Sequence, residues 1–134
     1  MANIQGYHHV GLTVPNINQT REFFINVFKF QQIGEVPDYP ACFLSDGTIM
    51  LTLWQAATPE QAIPFDRKNN IGLHHFALTV DSLDALNSFH HTLSSTEGVE
   101  IEFAPEPLGN SSTHHMMFYI PGGIRMELTA PGAK

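Results

Sequence analysis

A segment near the N-terminus recurs in the second half of the chain, and this duplication restricts the possible folds more than any other feature. Gly6-Tyr-His-His-Val-Gly-Leu-Thr-Val14 and Gly72-Leu-His-His-Phe-Ala-Leu-Thr-Val80 lie a constant 66 residues apart, and the match extends to Phe23 and Phe89. Self-similarity at a fixed offset is typical of a chain that repeats one supersecondary unit. We therefore expect two copies of a single module.

Each copy begins with a predicted strand and a predicted helix. Apolar residues alternate with polar or small ones over residues 9–14 and again over 75–80, which is the period of a half-buried strand. Apolar residues at helical spacing then predict helices over about 16–28 and 81–93. Three more strands are predicted in each half, at about 30–36, 41–44 and 48–54, and at about 99–103, 115–120 and 124–129. Both halves are thus β-α-β-β-β, an α+β fold class.

The length of 134 residues predicts one domain, with the duplication inside it. Module one covers about residues 6–55 and module two about 71–131. Residues 56–70, with Pro59, Pro64 and two adjacent asparagines, are the predicted linker.

Charge and composition exclude several classes of function. A net charge of −7 with six Lys and Arg residues argues against nucleic acid, and we expect only Arg125 among these cations on the working surface. No apolar run approaches the roughly 18 residues of a membrane span, and the N-terminus lacks the pattern of a secretory signal. The single cysteine, Cys42, fits a reducing compartment. We expect a cytoplasmic protein that binds neither membrane nor nucleic acid.

Alternation also assigns faces to the last two strands. Met116, Phe118 and Ile120 form the apolar face of one strand, and Ile124, Met126 and Leu128 that of the next. The opposite face then carries His115, Met117, Tyr119, Arg125, Glu127 and Thr129, and by the same parity His9 and His75. A polar side chain in a strand pattern is costly unless it meets a partner, so we expect these groups to interact.

The paired modules, the His in each first strand and the closing Pro121-Gly-Gly-Ile-Arg-Met-Glu-Leu128 resemble the vicinal oxygen chelate superfamily. It includes glyoxalase I, extradiol dioxygenases, fosfomycin-resistance transferases and bleomycin-resistance proteins. The resemblance covers about residues 6–130, with Gly122 where the family pattern has Asp. It implies a cupped mixed sheet with the helices outside and a metal within, and a small substrate bound through two adjacent oxygens, in a homodimer.

Carried over by position, the resemblance makes His9, His75 and Glu127 the ligands of one divalent metal ion. The fourth ligand position falls on Thr52, or on Met50 if the modules are aligned two residues differently. Neither residue is a carboxylate. Two His and one carboxylate with open positions suit Fe(II), our first choice, with Mn, Ni or Zn as alternatives.

Three functions remain open. The ligand count favours a dioxygenase-like enzyme, followed by a glyoxalase I-like isomerase or lyase. A metal-free protein that sequesters a ligand, as bleomycin-resistance proteins do, is the third.

Other residues are assigned roles around the predicted metal. His115 is the candidate acid and base, and Tyr119 is a catalytic hydrogen-bond donor to a substrate oxygen. Arg125 is a candidate partner for a substrate carboxylate. Further substrate contacts are expected from Met50, Thr52, Trp54 and Met117. His8 and His74 precede the ligands and are expected to turn away from the cup.

Overall fold

The computed structural model describes residues 3–132. The chain divides into two compact units, Met1–Ala62 and Ile63–Lys134. The division falls within the predicted linker, which also contains a short 3-10 helix at Pro59–Gln61. No helix in residues 3–132 has the length and apolar composition needed to cross a membrane.

Among its described residues, the first unit contains one α-helix and a four-stranded mixed sheet. Its strands lie in the order β1-β4-β3-β2, with β1 parallel to β4 and the remaining pairs antiparallel. The elements are β1 (Val10–Val14), α1 (Ile17–Phe28), β2 (Gln31–Val36), β3 (Ala41–Ser45) and β4 (Met50–Gln55).

The second unit repeats this arrangement, with strand order β5-β8-β7-β6 and the same parallel pairing between its first and last strands. Its elements are β5 (Phe76–Thr79), α2 (Leu83–Ser94), β6 (Glu100–Pro107), β7 (His114–Tyr119) and β8 (Arg125–Ala130). The predicted α+β class and both β-α-β-β-β modules are confirmed. One strand differs: β6 continues to Pro107 rather than to about 103, because it pairs with β7 through two register shifts.

Equivalent residues begin the two helices. The side-chain oxygen of Asn16 accepts a hydrogen bond from the Gln19 amide at 3.1 Å, and that of Ser82 accepts one from the Ala85 amide at 3.1 Å. Both residues therefore act as N-caps that satisfy an otherwise unpaired helical amide.

Each unit has its own apolar core between the helix and one face of its sheet. The fully buried side chains of the first unit include Phe24, Leu44 and Leu53, and those of the second include Leu86, Phe118 and Met126. In the second unit this burial leaves the other face of the sheet for polar groups.

A tight turn joins β7 to β8, the two strands that carry the polar face of the second sheet. Gly122 and Gly123 both have φ of 100°, in the region that favours glycine, and the Gly123 amide donates to the Ile120 carbonyl at 2.8 Å. Gly122 therefore suits this turn in place of the Asp of the family pattern.

Candidate metal centre

The polar face of the second sheet is built by β7 and β8 as predicted. In the antiparallel register Met117 lies opposite Glu127, and Tyr119 lies opposite Arg125. Met116 and Phe118 are fully buried and Met117 is 3% exposed, while His115 and Tyr119 contact Glu127 and Glu102. The register brings the polar groups of both strands into two adjacent rows.

Glu127 lies between two histidines on this face. Its Oε2 is 2.5 Å from Nδ1 of His115, and its Oε1 is 3.4 Å from Nε2 of His75. The Glu127 and His115 side chains are each 13% exposed, against 34% for His75. Both oxygens of one largely buried carboxylate are therefore engaged by imidazoles.

His75 and Glu127 have the spacing that a metal ion requires of two ligands. Two donors about 2.1 Å from a tetrahedral ion are separated by about 3.4 Å, which matches their distance here. Among residues 3–132, however, no three His, Cys, Asp or Glu side chains are grouped as a metal site. The second unit alone thus offers two side chains with this spacing.

His9, the third predicted ligand, belongs to the first unit. It immediately precedes β1, is exposed, and its Nδ1 lies 2.8 Å from Nδ1 of His8. The equivalent pair in the second unit repeats this contact, with Nδ1 atoms of His74 and His75 2.7 Å apart. The role of His9 as a ligand stays a prediction.

His74 does not turn away from the polar face, so that prediction is wrong. Its Nδ1 lies 3.5 Å from Nη1 of Arg125. Strand alternation does not govern its direction, because β5 begins only at Phe76. The pKa of His74 is lowered by partial desolvation and by the neighbouring His75 and Arg125.

A second polar cluster, which the sequence analysis missed, surrounds Glu102 on β6. Arg125 donates to both Glu102 oxygens, from Nε at 2.9 Å and from Nη2 at 2.8 Å, and the Tyr119 hydroxyl donates at 2.8 Å. Arg67 donates from Nη1 to Glu102 and, at 2.8 Å, to the Tyr119 oxygen. We call Arg67, Glu102, Tyr119 and Arg125 the Glu102 cluster.

The Glu102 cluster changes the ionisation of its members. Hydrogen bonds from Arg125, with smaller contributions from Tyr119 and Arg67, lower the pKa of Glu102 from 4.5 to about 2. Desolvation and the bond to Glu102 raise the pKa of Tyr119. Glu102 is therefore a carboxylate and Tyr119 a neutral phenol across the physiological range.

Two predictions about the cations need revision. Arg67 belongs to the predicted linker yet joins Arg125 through Glu102, so the expectation that only Arg125 reaches this surface is wrong. Arg125, the predicted partner of a substrate carboxylate, already binds a carboxylate of the protein in a bidentate manner. Alternation of Glu100 and Glu102 with Ile101 and Phe103 could have indicated Glu102, whereas no periodicity positions Arg67.

The strand register of the first unit shows which residue is equivalent to Glu127. Gly11 pairs with Thr52 as Ala77 pairs with Glu127, and 66 residues separate Gly11 from Ala77. Met50 lies opposite Ser45, at the start of its strand. Thr52, rather than Met50, thus occupies the position equivalent to Glu127.

The surroundings of Thr52 are aromatic rather than charged. Thr52 is 3% exposed, and its hydroxyl oxygen accepts a hydrogen bond from the Trp54 indole at 2.8 Å. The Trp54 ring lies 4.7 Å from that of Tyr39 and 6.2 Å from that of Phe43. The first unit therefore presents a neutral, largely apolar wall where the second presents a carboxylate.

A pocket of about 520 Å³ lies beside the Glu102 cluster in the second unit. Its lining residues are Ile63, Pro64, Phe65, Asp66, Arg67, Lys68, Asn70 and Tyr119. All but Tyr119 come from the segment that precedes β5, which we call the 63–70 segment.

Known proteins share this fold along nearly the whole chain. A domain from Frankia sp. EAN1pec, described as glyoxylase/bleomycin resistance protein/dioxygenase, has a TM-score of 0.82 at 18% identity and covers 98% of this chain and 95% of its own. A variant of the fosfomycin resistance protein FosX from Listeria monocytogenes, complexed with Mn(II) and 1S,2S-dihydroxypropylphosphonic acid, has a TM-score of 0.76 at 21% identity, covering 97% and 94%. At these identities the likeness concerns the fold alone.

Sequence comparison adds a relative and a family. A 2-epi-5-epi-valiolone epimerase from Actinomyces sp. is 25% identical over 143 aligned positions, which cover 90% of this chain and 76% of that protein. The family model described as Glyoxalase/Bleomycin resistance protein/Dioxygenase superfamily matches residues 6–128. Because this match spans both β-α-β-β-β units, the chain belongs to the Glyoxalase/Bleomycin resistance protein/Dioxygenase superfamily.

Proposed function

We propose that this protein is a divalent-metal-dependent enzyme that moves a proton on a small substrate bound through two adjacent oxygens, as an isomerase or epimerase does. The contact between His115 and Glu127 carries the proposal. It joins a candidate acid and base to a candidate metal ligand on one sheet face, at 2.5 Å.

The residues proposed to hold the metal are His75, Glu127 and, from the first unit, His9. The spacing of His75 and Glu127 supports this assignment, and the neutral Thr52 adds no charged fourth ligand. A bound divalent ion would act as a Lewis acid that stabilises negative charge on the substrate oxygens.

His115 is proposed to hold and move the proton. Its Nδ1 faces Glu127, so the Nδ1–H group donates to the carboxylate and Nε2 remains as the basic atom. A carboxylate in this position fixes the tautomer and stabilises the imidazolium once it forms. Nε2 can then take a proton from a substrate carbon next to the bound oxygens and return it.

The relatives support proton transfer as the first choice. Epimerisation, the activity in the name of the Actinomyces protein, can proceed by removal and return of a proton at carbon. A solved structure of similar fold is a lactoylglutathione lyase from Agrobacterium tumefaciens, with a TM-score of 0.70 at 18% identity.

Dioxygenase-like chemistry is the second candidate. It is favoured by Thr52 at the position equivalent to Glu127, because two His and one carboxylate leave coordination positions for both substrate and dioxygen. The metal in this case would be Fe(II).

The first experiment measures metal content. Untagged protein and the variants His9→Ala, His75→Ala and Glu127→Ala are analysed by elemental mass spectrometry after dialysis against Mn(II), Fe(II), Ni(II) or Zn(II). We expect near-stoichiometric metal in the parent and substantial loss in each variant, with His91→Ala on α2 as the matched control. A parent that binds none of these metals would favour a ligand-sequestering protein over both enzymes.

The second experiment separates the two reactions. Loaded protein is incubated in D2O with 2-epi-5-epi-valiolone or with the hemithioacetal of methylglyoxal and glutathione, and deuterium at carbon is followed by NMR. Catechols under air, followed by ultraviolet absorbance, test ring cleavage. We expect the parent protein to incorporate deuterium at carbon. The His115→Gln variant should do so about 10²–10⁴-fold more slowly. Ring cleavage without exchange would exclude proton transfer in favour of the dioxygenase.

A further inference from the structure

Positive charge is concentrated at one place in an otherwise acidic protein. The chain has six Lys and Arg residues and a net charge of −7. Three of the six, Arg67, Lys68 and Arg125, lie in the Glu102 cluster or line the adjoining pocket. A cleft that concentrates one sign of charge attracts ligands of the other sign.

The guanidinium group of Arg67 has N–H donors that can bind a ligand. Within residues 3–132 its hydrogen bonds, to Glu102 and Tyr119, all start from Nη1, and its side chain is 27% exposed. Nε and Nη2 therefore remain to bind an oxyanion through a guanidinium edge. Lys68, the next residue, is exposed and also lines the pocket.

The 63–70 segment is held in place by its own hydrogen bonds. Asp66 accepts from the backbone amides of Lys68 and Asn69 at 2.9 and 3.3 Å, and from the Asn69 side chain at 2.9 Å. The side chain of Asn70 donates to the Pro64 carbonyl at 2.9 Å. The Asp66 carboxylate is thus used within the segment, and the backbone that carries Arg67 and Lys68 is fixed.

The net charge around the pocket and the residues that line it indicate the class of ligand. The three cations are opposed by two carboxylates, Asp66 and Glu102, which leaves the equivalent of one positive charge. Ile63, Pro64 and Phe65 add an apolar wall to the pocket. One unit of charge beside an apolar surface suits a carboxylate on a hydrocarbon group better than a doubly charged phosphate.

The pocket lies within reach of the candidate metal centre. Tyr119 and Arg125 form the row next to that of Met117 and Glu127, on the same sheet face. Two residues along a strand span about 7 Å, a distance that a small organic molecule covers.

We propose that Arg67 and Lys68 bind a carboxylate group of the substrate, whose apolar part lies against Phe65. Arg67, rather than Arg125, is then the cation that selects the substrate. This assignment rests on the proposed function for its role in turnover, but the binding step requires neither metal nor reaction.

The test is therefore a titration of the full-length, metal-free protein. Sodium acetate and sodium propionate are added, with sodium chloride and inorganic phosphate at matched ionic strength, while amide NMR shifts are recorded. We expect saturable shifts confined to residues 65–70 and Tyr119 with both carboxylates, and tighter binding of propionate. Equal effects of chloride, or stronger binding of phosphate, would overturn the proposed ligand class.

Three variants test the assignment, because two of them should lower the affinity for propionate and the third should raise it. Arg67→Gln and Lys68→Gln should each weaken propionate binding, the former about tenfold or more. Glu102→Gln should strengthen it by about tenfold, because it removes a carboxylate that competes for the two guanidinium groups. Arg21→Gln on α1 is the matched control and should change nothing.

A merely structural role for Arg67 predicts a different pattern. Glu102→Gln would then weaken binding together with Arg67→Gln, since both break the Glu102 cluster. That result, or unchanged affinity in both Arg67→Gln and Lys68→Gln, would refute the subsite. Saturable carboxylate binding in a protein that retains no metal would leave the subsite standing while the proposed reaction fails.

Discussion

At the scale of single residues, Glu102 joins three side chains of the second unit. Arg67, Tyr119 and Arg125 all donate to its carboxylate. The sequence marks it only as one polar residue in an alternating strand. Its partners come from β7, β8 and the 63–70 segment, so their meeting depends on tertiary structure that periodicity cannot supply.

Glu102 should make the free energy of unfolding depend on pH. Its pKa is about 2 in the folded protein against 4.5 ordinarily, so its stabilising effect is complete above about pH 5 and is lost as pH falls towards 2. In thermal unfolding from pH 6 to pH 3, Glu102→Gln should be less stable than the parent at pH 6, by about 1–3 kcal/mol, and the difference should shrink towards pH 3. Glu100→Gln, on the exposed part of β6, is the control; a difference independent of pH would contradict the assignment.

Replacement of Thr52 by a metal-binding residue should strengthen metal binding and lower the stability of the fold. Thr52→Glu places a carboxylate at the position equivalent to Glu127, and we expect metal to bind more tightly. It also removes the hydroxyl that accepts from Trp54, which should lower the free energy of unfolding by about 1–3 kcal/mol. Metal titration and denaturant unfolding measure the two effects, and Thr52→Met separates them by causing only the second. Unchanged metal affinity in Thr52→Glu would argue against a shared metal.

At the scale of elements, sequence patterns predicted most of what the structure contains. Eight strands and two helices follow from alternation and helical spacing, because each element buries one face against its own core. The two failures lie where that rule does not apply. β6 extends through register shifts, and the 63–70 segment is fixed by side-chain bonds of Asp66 and Asn70.

The two helix caps should contribute equally. Asn16→Ala and Ser82→Ala each remove one bond of 3.1 Å to a first-turn amide, and each should cost about 1 kcal/mol in denaturant unfolding. Asn18→Ala and Asp84→Ala, inside the same helices, are controls that should cost less. A much larger loss for one cap would show that the repeated caps are not energetically equivalent.

At the scale of the whole molecule, large apolar side chains remain exposed near the start of both repeats. Tyr7 is 98% exposed and Ile71 fully exposed, on the residues that lead into β1 and β5. Exposed apolar groups of this kind favour association. We expect sedimentation equilibrium to give a dimer of the 14.9 kDa chain, weakened by Tyr7→Ser or Ile71→Ser. A monomer at micromolar concentration would contradict this.

The position of Arg67 has a consequence for how such proteins diversify. The residue lies on the stretch that joins the two repeats, yet it contacts Tyr119 and Glu102 on the second sheet. Connecting stretches accept insertions, deletions and substitutions more readily than strands do. Under the proposed role of Arg67, changes in this connecting stretch alone would alter ligand preference, while both repeats and their histidines stay unchanged.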